Sequence, residues 1–180
     1  MMSNRTEQAE RQVLVESAVP PSRRRRVLDA MMRHPVVTVF ALALAVRVAL
    51  VLVISLVMGP GVFSDDVTYS QLAAERATGE TGRWDAYNYW LYDTTATFLV
   101  PLTVIYGAIG PEPLAGRLFV AVLGSAAAAA TARLALELLP ARWALAAGAA
   151  VALLPSQVLF SSLVLKDAAV WVVLAALGVV

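Results

Sequence analysis

VVTVFALALAVRVALVLVISLVM, residues 36–58, decides what kind of protein this chain is. A helix rises about 1.5 Å per residue, so these 23 residues are enough to cross a hydrocarbon core of about 30 Å. One charge interrupts the run. Arg47 sits eleven residues from either end, where even a long side chain reaches the headgroups poorly, so it is expected to face the protein interior or a water-filled cavity. Two readings of it stay open: an interhelical hydrogen-bonding arginine, or a group that meets substrate directly.

Composition agrees with that run. Hydrophobic residues make up 59% of the chain and the mean hydropathy is +0.72, too apolar for a soluble domain. With no cysteine, disulfides and thiolate metal sites are excluded. The net charge of +1 says little, because the charges are sorted by segment.

Upstream, residues 1–34 carry seven arginines against four acids and are expected to be a disordered basic cytoplasmic tail. Arg23, Arg24, Arg25 and Arg26 stand about ten residues before the apolar run. That is the place of a positive-inside signal rather than a nucleic-acid patch, so no nucleic-acid partner is expected and the N-terminus is placed in the cytoplasm. The apolar run is too long for a cleaved signal peptide, and no small-residue cleavage site clearly follows it.

Downstream, a Gly59-Pro60-Gly61 break leads into SDDVTYSQLA, residues 64–73. Two adjacent carboxylates at the mouth of a membrane helix carry a desolvation cost unless something uses or satisfies them. The pattern beyond them predicts an amphipathic helix, with Val67, Leu72 and Ala73 on one face and Gln71 and Glu75 on another. Ser64 or Asp65 is a suitable N-cap. A capped interfacial helix and a functional acidic pair are both open readings. The segment RWDAYNYWLY, residues 83–92, has the aromatic density of a headgroup anchor; a sugar-stacking surface uses the same residues.

Residues 98–109 are apolar but short, contain Pro101 and end at Gly110-Pro111-Glu112-Pro113. They are expected to be interfacial or re-entrant, leaving residues 59–113 as one external loop. Residues 114–139 form a full span whose Gly116, Gly124, Ser125 and alanines permit close backbone packing. Arg133 and Arg142 put the turn at Pro140 in the cytoplasm. Residues 143–162 return outward with a kink at Pro155, and SSLVLKD, residues 161–167, opens an apolar run cut off at residue 180. Lys166, the one lysine of the chain, and Asp167 thus join Asp65 and Asp66 on the outer side. The chain reads as the N-terminal part of a longer membrane protein.

The order of these parts resembles the polytopic glycosyltransferases of the GT-C superfamily. The nearest likeness is to the family 39 group, with the protein O-mannosyltransferases and the lipid A aminoarabinose transferase. Their Asp-Glu-x-x-Tyr pattern after a first, often arginine-bearing span is matched by Asp65-Asp66-Val67-Thr68-Tyr69, with aspartate in place of the glutamate. Pro101, Gly110 and Arg117-Leu118 match the segments that come next. Ser161, Ser162 and Asp167 match the Ser-rich turn that opens the fourth span, where Lys166 replaces the usual Thr or Ser.

The resemblance implies an all-α polytopic transmembrane bundle, with interfacial helices in its first external loop and spans near 36–58, 114–139, 143–162 and 167–180. It implies a multi-pass plasma (inner) membrane enzyme that moves a sugar from a polyprenyl-phosphate carrier to a glycan, lipid or protein acceptor at the outer face, with inversion. Asp65 is then the candidate base. Asp66 would position the acceptor, orient a partner or hold a metal. Arg83, Arg117 and Lys166 are candidates for the phosphate, with Tyr69 and Asp167 beside them. A divalent cation, Mg or Mn, between the acids is compatible with that family. A transporter or flippase half, and a non-catalytic membrane scaffold, are the alternatives.

Overall fold

A computed structural model describes residues 23–58 and 62–178. The chain divides between His34 and Pro35 into two compact units. In the first, α1 (Arg23–Arg33) is helical, so the tail is not disordered throughout, whereas residues 1–22 lie outside the described residues. Leu28, Met31 and Met32 are spaced to form one apolar stripe, and Arg33 in the last turn complements the helix dipole. His34 precedes a proline, a position that disfavours helical backbone, and α1 ends there.

The second unit holds α2 (Pro35–Val57), α3 (Ser64–Thr78), a 3₁₀ turn (Thr81–Arg83), α4 (Ala86–Thr94), α5 (Ala96–Ile109), α6 (Pro113–Leu138), α7 (Ala141–Leu153), α8 (Pro155–Phe160) and α9 (Asp167–Leu177). Every regular element among the described residues is a helix. By length and composition α2 and α6 are able to cross a membrane; α5, α7 and α9 are apolar but shorter. The 14 residues of α5 span about 21 Å, well short of a hydrocarbon core of about 30 Å.

Helix α6 is the hub, packed on α2, α7 and α9. Small residues let it be one. Gly124, Ala128 and Ala132 are buried along it, and a Cβ on Gly148 of α7 would lie 2.6 Å from the Ala132 Cβ and 2.8 Å from Val39 on α2. Three backbones therefore meet where no methyl group fits. One core cluster lies around this crossing, with Val39, Ala43, Ala128, Ala132 and Ala152. The larger one gathers Ile54 of α2, Tyr69 and Leu72 of α3, Phe98, Leu102 and Tyr106 of α5, Val120 of α6 and Leu163 after α8.

Three local expectations change. The Gly59-Pro60-Gly61 break lies outside the described residues. Phe63, not Ser64 or Asp65, is the N-cap of α3, and no side chain caps it; both aspartates sit in the first turn instead, where their charge favours the helix N-terminus. The buried face of α3 is Asp66, Tyr69, Leu72 and Ala73, while Val67 is 45% exposed: the carboxylate took the inward register that the valine was expected to hold. Finally, residues 143–162 are not one kinked helix. Leu154 is extended (ψ 121°) as a pre-proline residue prefers, and Pro155 starts α8 at a position where its missing N–H costs nothing.

Arg47 is fully buried halfway along α2. Its Nε donates to the Ser161 hydroxyl (2.6 Å), and its Nη1 donates to the carbonyls of Ala43 (3.2 Å) and Ala152 (3.1 Å). It thus ties α2 to the ends of α7 and α8. Gly124 makes room for this, since a Cβ there would fall 2.3 Å from Ser161 Cβ and 2.8 Å from Arg47 Nε. Glycine to alanine in a helix interior ordinarily gains up to about 1 kcal/mol. At Gly124 the clash is expected to reverse the sign and cost about 1–3 kcal/mol, whereas at Gly107, where nothing lies within 4 Å, the gain should survive. Thermal unfolding of Gly124→Ala and Gly107→Ala checks this; equal or raised midpoints in both would show that the α6 crossing is loose.

Candidate functional site

Asp66 is the centre of the arrangement at the α3 end of the bundle. It is 3% exposed, and both carboxylate oxygens are engaged: Oδ2 accepts from Arg117 Nη2 at 3.0 Å and Oδ1 from the backbone N–H of Val164 at 2.8 Å. Arg117, buried in the first turns of α6, also donates from Nη1 to the Ser55 hydroxyl at 3.2 Å. One carboxylate therefore joins α3, α6, the end of α2 and the segment between α8 and α9.

That last segment explains why a charge is needed. Residues 161–165 are buried without continuous helix, so their backbone groups need other partners. Ser161 and Ser162 turn their hydroxyls back onto Gln157 and Val158 carbonyls, and the Val164 N–H goes to Asp66. Around the pair, Tyr69 packs edge-on against Phe98 at 5.9 Å between centroids. Lys166 Nζ lies 5.9 Å from the Tyr69 ring centroid, close enough for a cation–π attraction. The Tyr106 and Ser70 hydroxyls bond at 2.8 Å. Burial raises the Tyr106 phenol above its ordinary value against the opposing Ser70 hydrogen bond, with the Asp66 carboxylate raising it further, so the hydroxyl stays neutral. Gly116 lets the hydroxyl end of Tyr106 come close to α6, for a Cβ there would stand 2.4 Å from its hydroxyl.

Contacts thus join Asp66 to Arg117 and Tyr69 to Lys166, with the two pairs bound together through α3. Asp65 and Asp167 are exposed in the first turns of α3 and α9. Arg83 is elsewhere: with Thr68, Gln71, Glu75, Trp84 and Asn88 it lines a separate cavity of about 330 Å³ on another face of α3. A cation shared between the acids does not fit this arrangement. Asp65 is exposed while Asp66 is buried, with one oxygen turned to Arg117 and the other to Val164, and no group of three or more His, Asp or Glu gathers among the described residues. The sequence reading missed Ser55, the Val164 N–H and the Ser70–Tyr106 bond. Of these only Tyr106 left a signal, as the one polar aromatic in an otherwise apolar segment.

Fold and site together define an all-helical protein with two helices fit to cross a membrane and a buried carboxylate–guanidinium pair where the N-termini of α3 and α6 meet. Compared with protein-family models, curated proteins and solved structures, the chain matches none.

Proposed function

We propose that this chain belongs to a multi-pass membrane glycosyltransferase that moves a sugar from a polyprenyl-phosphate carrier to an acceptor at the extracytoplasmic face. The observation that carries the reading is the convergence of three segments far apart in sequence. Asp66 holds Arg117 and the 161–166 segment together, and Asp65 and Lys166 are charged groups left exposed beside that junction.

The two acids divide the work. Asp66, locked by Arg117 and Val164, is a positioning residue that fixes the first turn of α3. Asp65, next to it and open to solvent, takes the acceptor hydroxyl's proton while that oxygen forms its bond to the anomeric carbon. The bond from that carbon to the phosphate oxygen breaks, and the phosphate leaves with the electron pair. Its growing charge needs a cation. Arg117 is already neutralised by Asp66, so Lys166 is the better placed of the two. Transfer from radiolabelled polyprenyl-phosphate sugars, in membranes holding the full-length product, tests the reading; no transfer to any lipid, glycan or protein fraction would refute it.

The same reading fixes a topology: residues 59–113 outside and the turn at Pro140 inside. Cysteines introduced as Glu112→Cys and Ala141→Cys are expected to differ in intact cells, with an impermeant thiol reagent reaching position 112 and not 141. The opposite pattern would mean that α5 crosses.

A further inference from the structure

We infer that the cavity on the outward face of α3 is a binding site for a single neutral sugar ring. Its wall is a helical stripe, Thr68, Gln71, Leu72 and Glu75, on consecutive turns of α3. Its other side is Arg83, Trp84 and Asn88, from the 3₁₀ turn and the start of α4. The volume of about 330 Å³ lies at the small end of ligand pockets, about 300–1,000 Å³. It suits one ring rather than a chain.

The chemistry of the lining selects the class of ligand. Glu75 is fixed from two sides, Oε1 accepting from Gln71 Nε2 at 2.7 Å and Oε2 from Trp84 Nε1 at 2.6 Å. Each of its oxygens keeps lone-pair capacity for a ligand hydroxyl. Arg83 is exposed at the rim and supplies a planar fork of donors. One carboxylate and one guanidinium cancel, so the cavity favours neither a net anion nor a net cation. The Trp84 indole adds an apolar surface held in place by Tyr89 (T-shaped, 5.2 Å) and Tyr92 (tilted, 5.4 Å). A ligand with hydroxyls along its edge and a flat C–H face satisfies all three features, and a pyranose has that form. The α4 helix that carries Asn88 is itself anchored, because the Asp85 carboxylate caps it by accepting from the Asn88 N–H at 2.8 Å. The site is therefore built before any ligand arrives.

This site lies apart from Asp66 and does not rest on the transfer reaction, and its readout is binding rather than turnover. The test is saturation-transfer NMR on the whole chain in lipid nanodiscs free of glycoside detergent. The probes are the methyl glycosides of glucose, mannose, galactose and N-acetylglucosamine, with leucine as a zwitterion of comparable size. At least one sugar should take up saturation with millimolar affinity. Arg83→Ala and Asn88→Ala should weaken it by roughly tenfold, the loss of a hydrogen bond or two, with helicity and thermal midpoint unchanged. Trp84→Phe, which keeps a ring but frees Glu75, should weaken it as well. Saturation of none of the four sugars, of leucine alone, or of a sugar equally in wild type and both alanine variants would overturn the assignment.

Discussion

Asp66→Ala is expected to cost about 3–5 kcal/mol, because it removes the Asp66 half of a buried ion pair with Arg117 and takes the side-chain acceptor from the Val164 N–H. In a protein of marginal stability that is a large fraction of the folding free energy, so the variant should be recovered from membranes in low yield and with a lowered thermal midpoint. Asp66→Asn keeps an oxygen for Val164 and loses only the charge; it should fall between. Removing both partners at once, as Asp66→Leu with Arg117→Met, leaves no uncompensated charge and should recover part of the loss, since buried ion pairs often do little better than apolar substitutes of like volume. Asp66→Glu would create an Asp-Glu-x-x-Tyr sequence, yet at 3% exposure an added methylene has to displace either Arg117 or the 161–166 segment, at a cost of about 1–3 kcal/mol. An Asp66→Ala protein with wild-type yield and midpoint would mean that the pair is incidental to the junction.

That junction marks the limit of what the residues disclosed before the structure. The long apolar helices were legible because crossing length is a property of a contiguous run, read directly from residues 36–58 and 114–139. The inward face of Arg47 was legible for the same reason, as a charge that far from either end has few places to go. The acidic pair was legible as an anomaly but not as a division of labour. Two carboxylates adjacent on a helix point about 100° apart, so one of them had to turn away from the core. Which one depended on Arg117, 51 residues further on. Val67 lost its buried place to Asp66 for that reason, a tertiary contact overriding a pattern that local hydrophobicity supported. The break at Leu154 was read as a kink because the apolar run is continuous in composition, and the pre-proline restriction acts on backbone, not on hydropathy. Arg83 was grouped with the other cations by charge alone. Its true neighbours are Glu75 and Trp84, set by the 3₁₀ turn that follows the left-handed Gly79 (φ 80°) at the end of α3.

Asp65→Asn is expected to lower sugar transfer per molecule by about 10²–10⁴-fold, the usual worth of a general base, while leaving the amount of folded protein nearly unchanged. Asparagine has the same shape but cannot take the acceptor's proton. Because Asp65 is exposed and makes no ion pair with another described residue, the structural penalty is confined to its charge in the first turn of α3, about 0.3–1 kcal/mol. This separates the two aspartates by mechanism. Substitution at 66 should act through the quantity of folded protein, and substitution at 65 through turnover of each molecule. The measurement is transfer from a radiolabelled polyprenyl-phosphate sugar by the full-length product, normalised to its membrane level, with Asp65→Glu alongside as a base displaced by one methylene. On the proposed reading Lys166→Met should lower transfer through the other half of the reaction, by removing the cation assigned to the leaving phosphate. Wild-type turnover in Asp65→Asn would end the catalytic reading, leaving Asp65 a charge that favours the start of α3 and the junction beneath it a structural clasp.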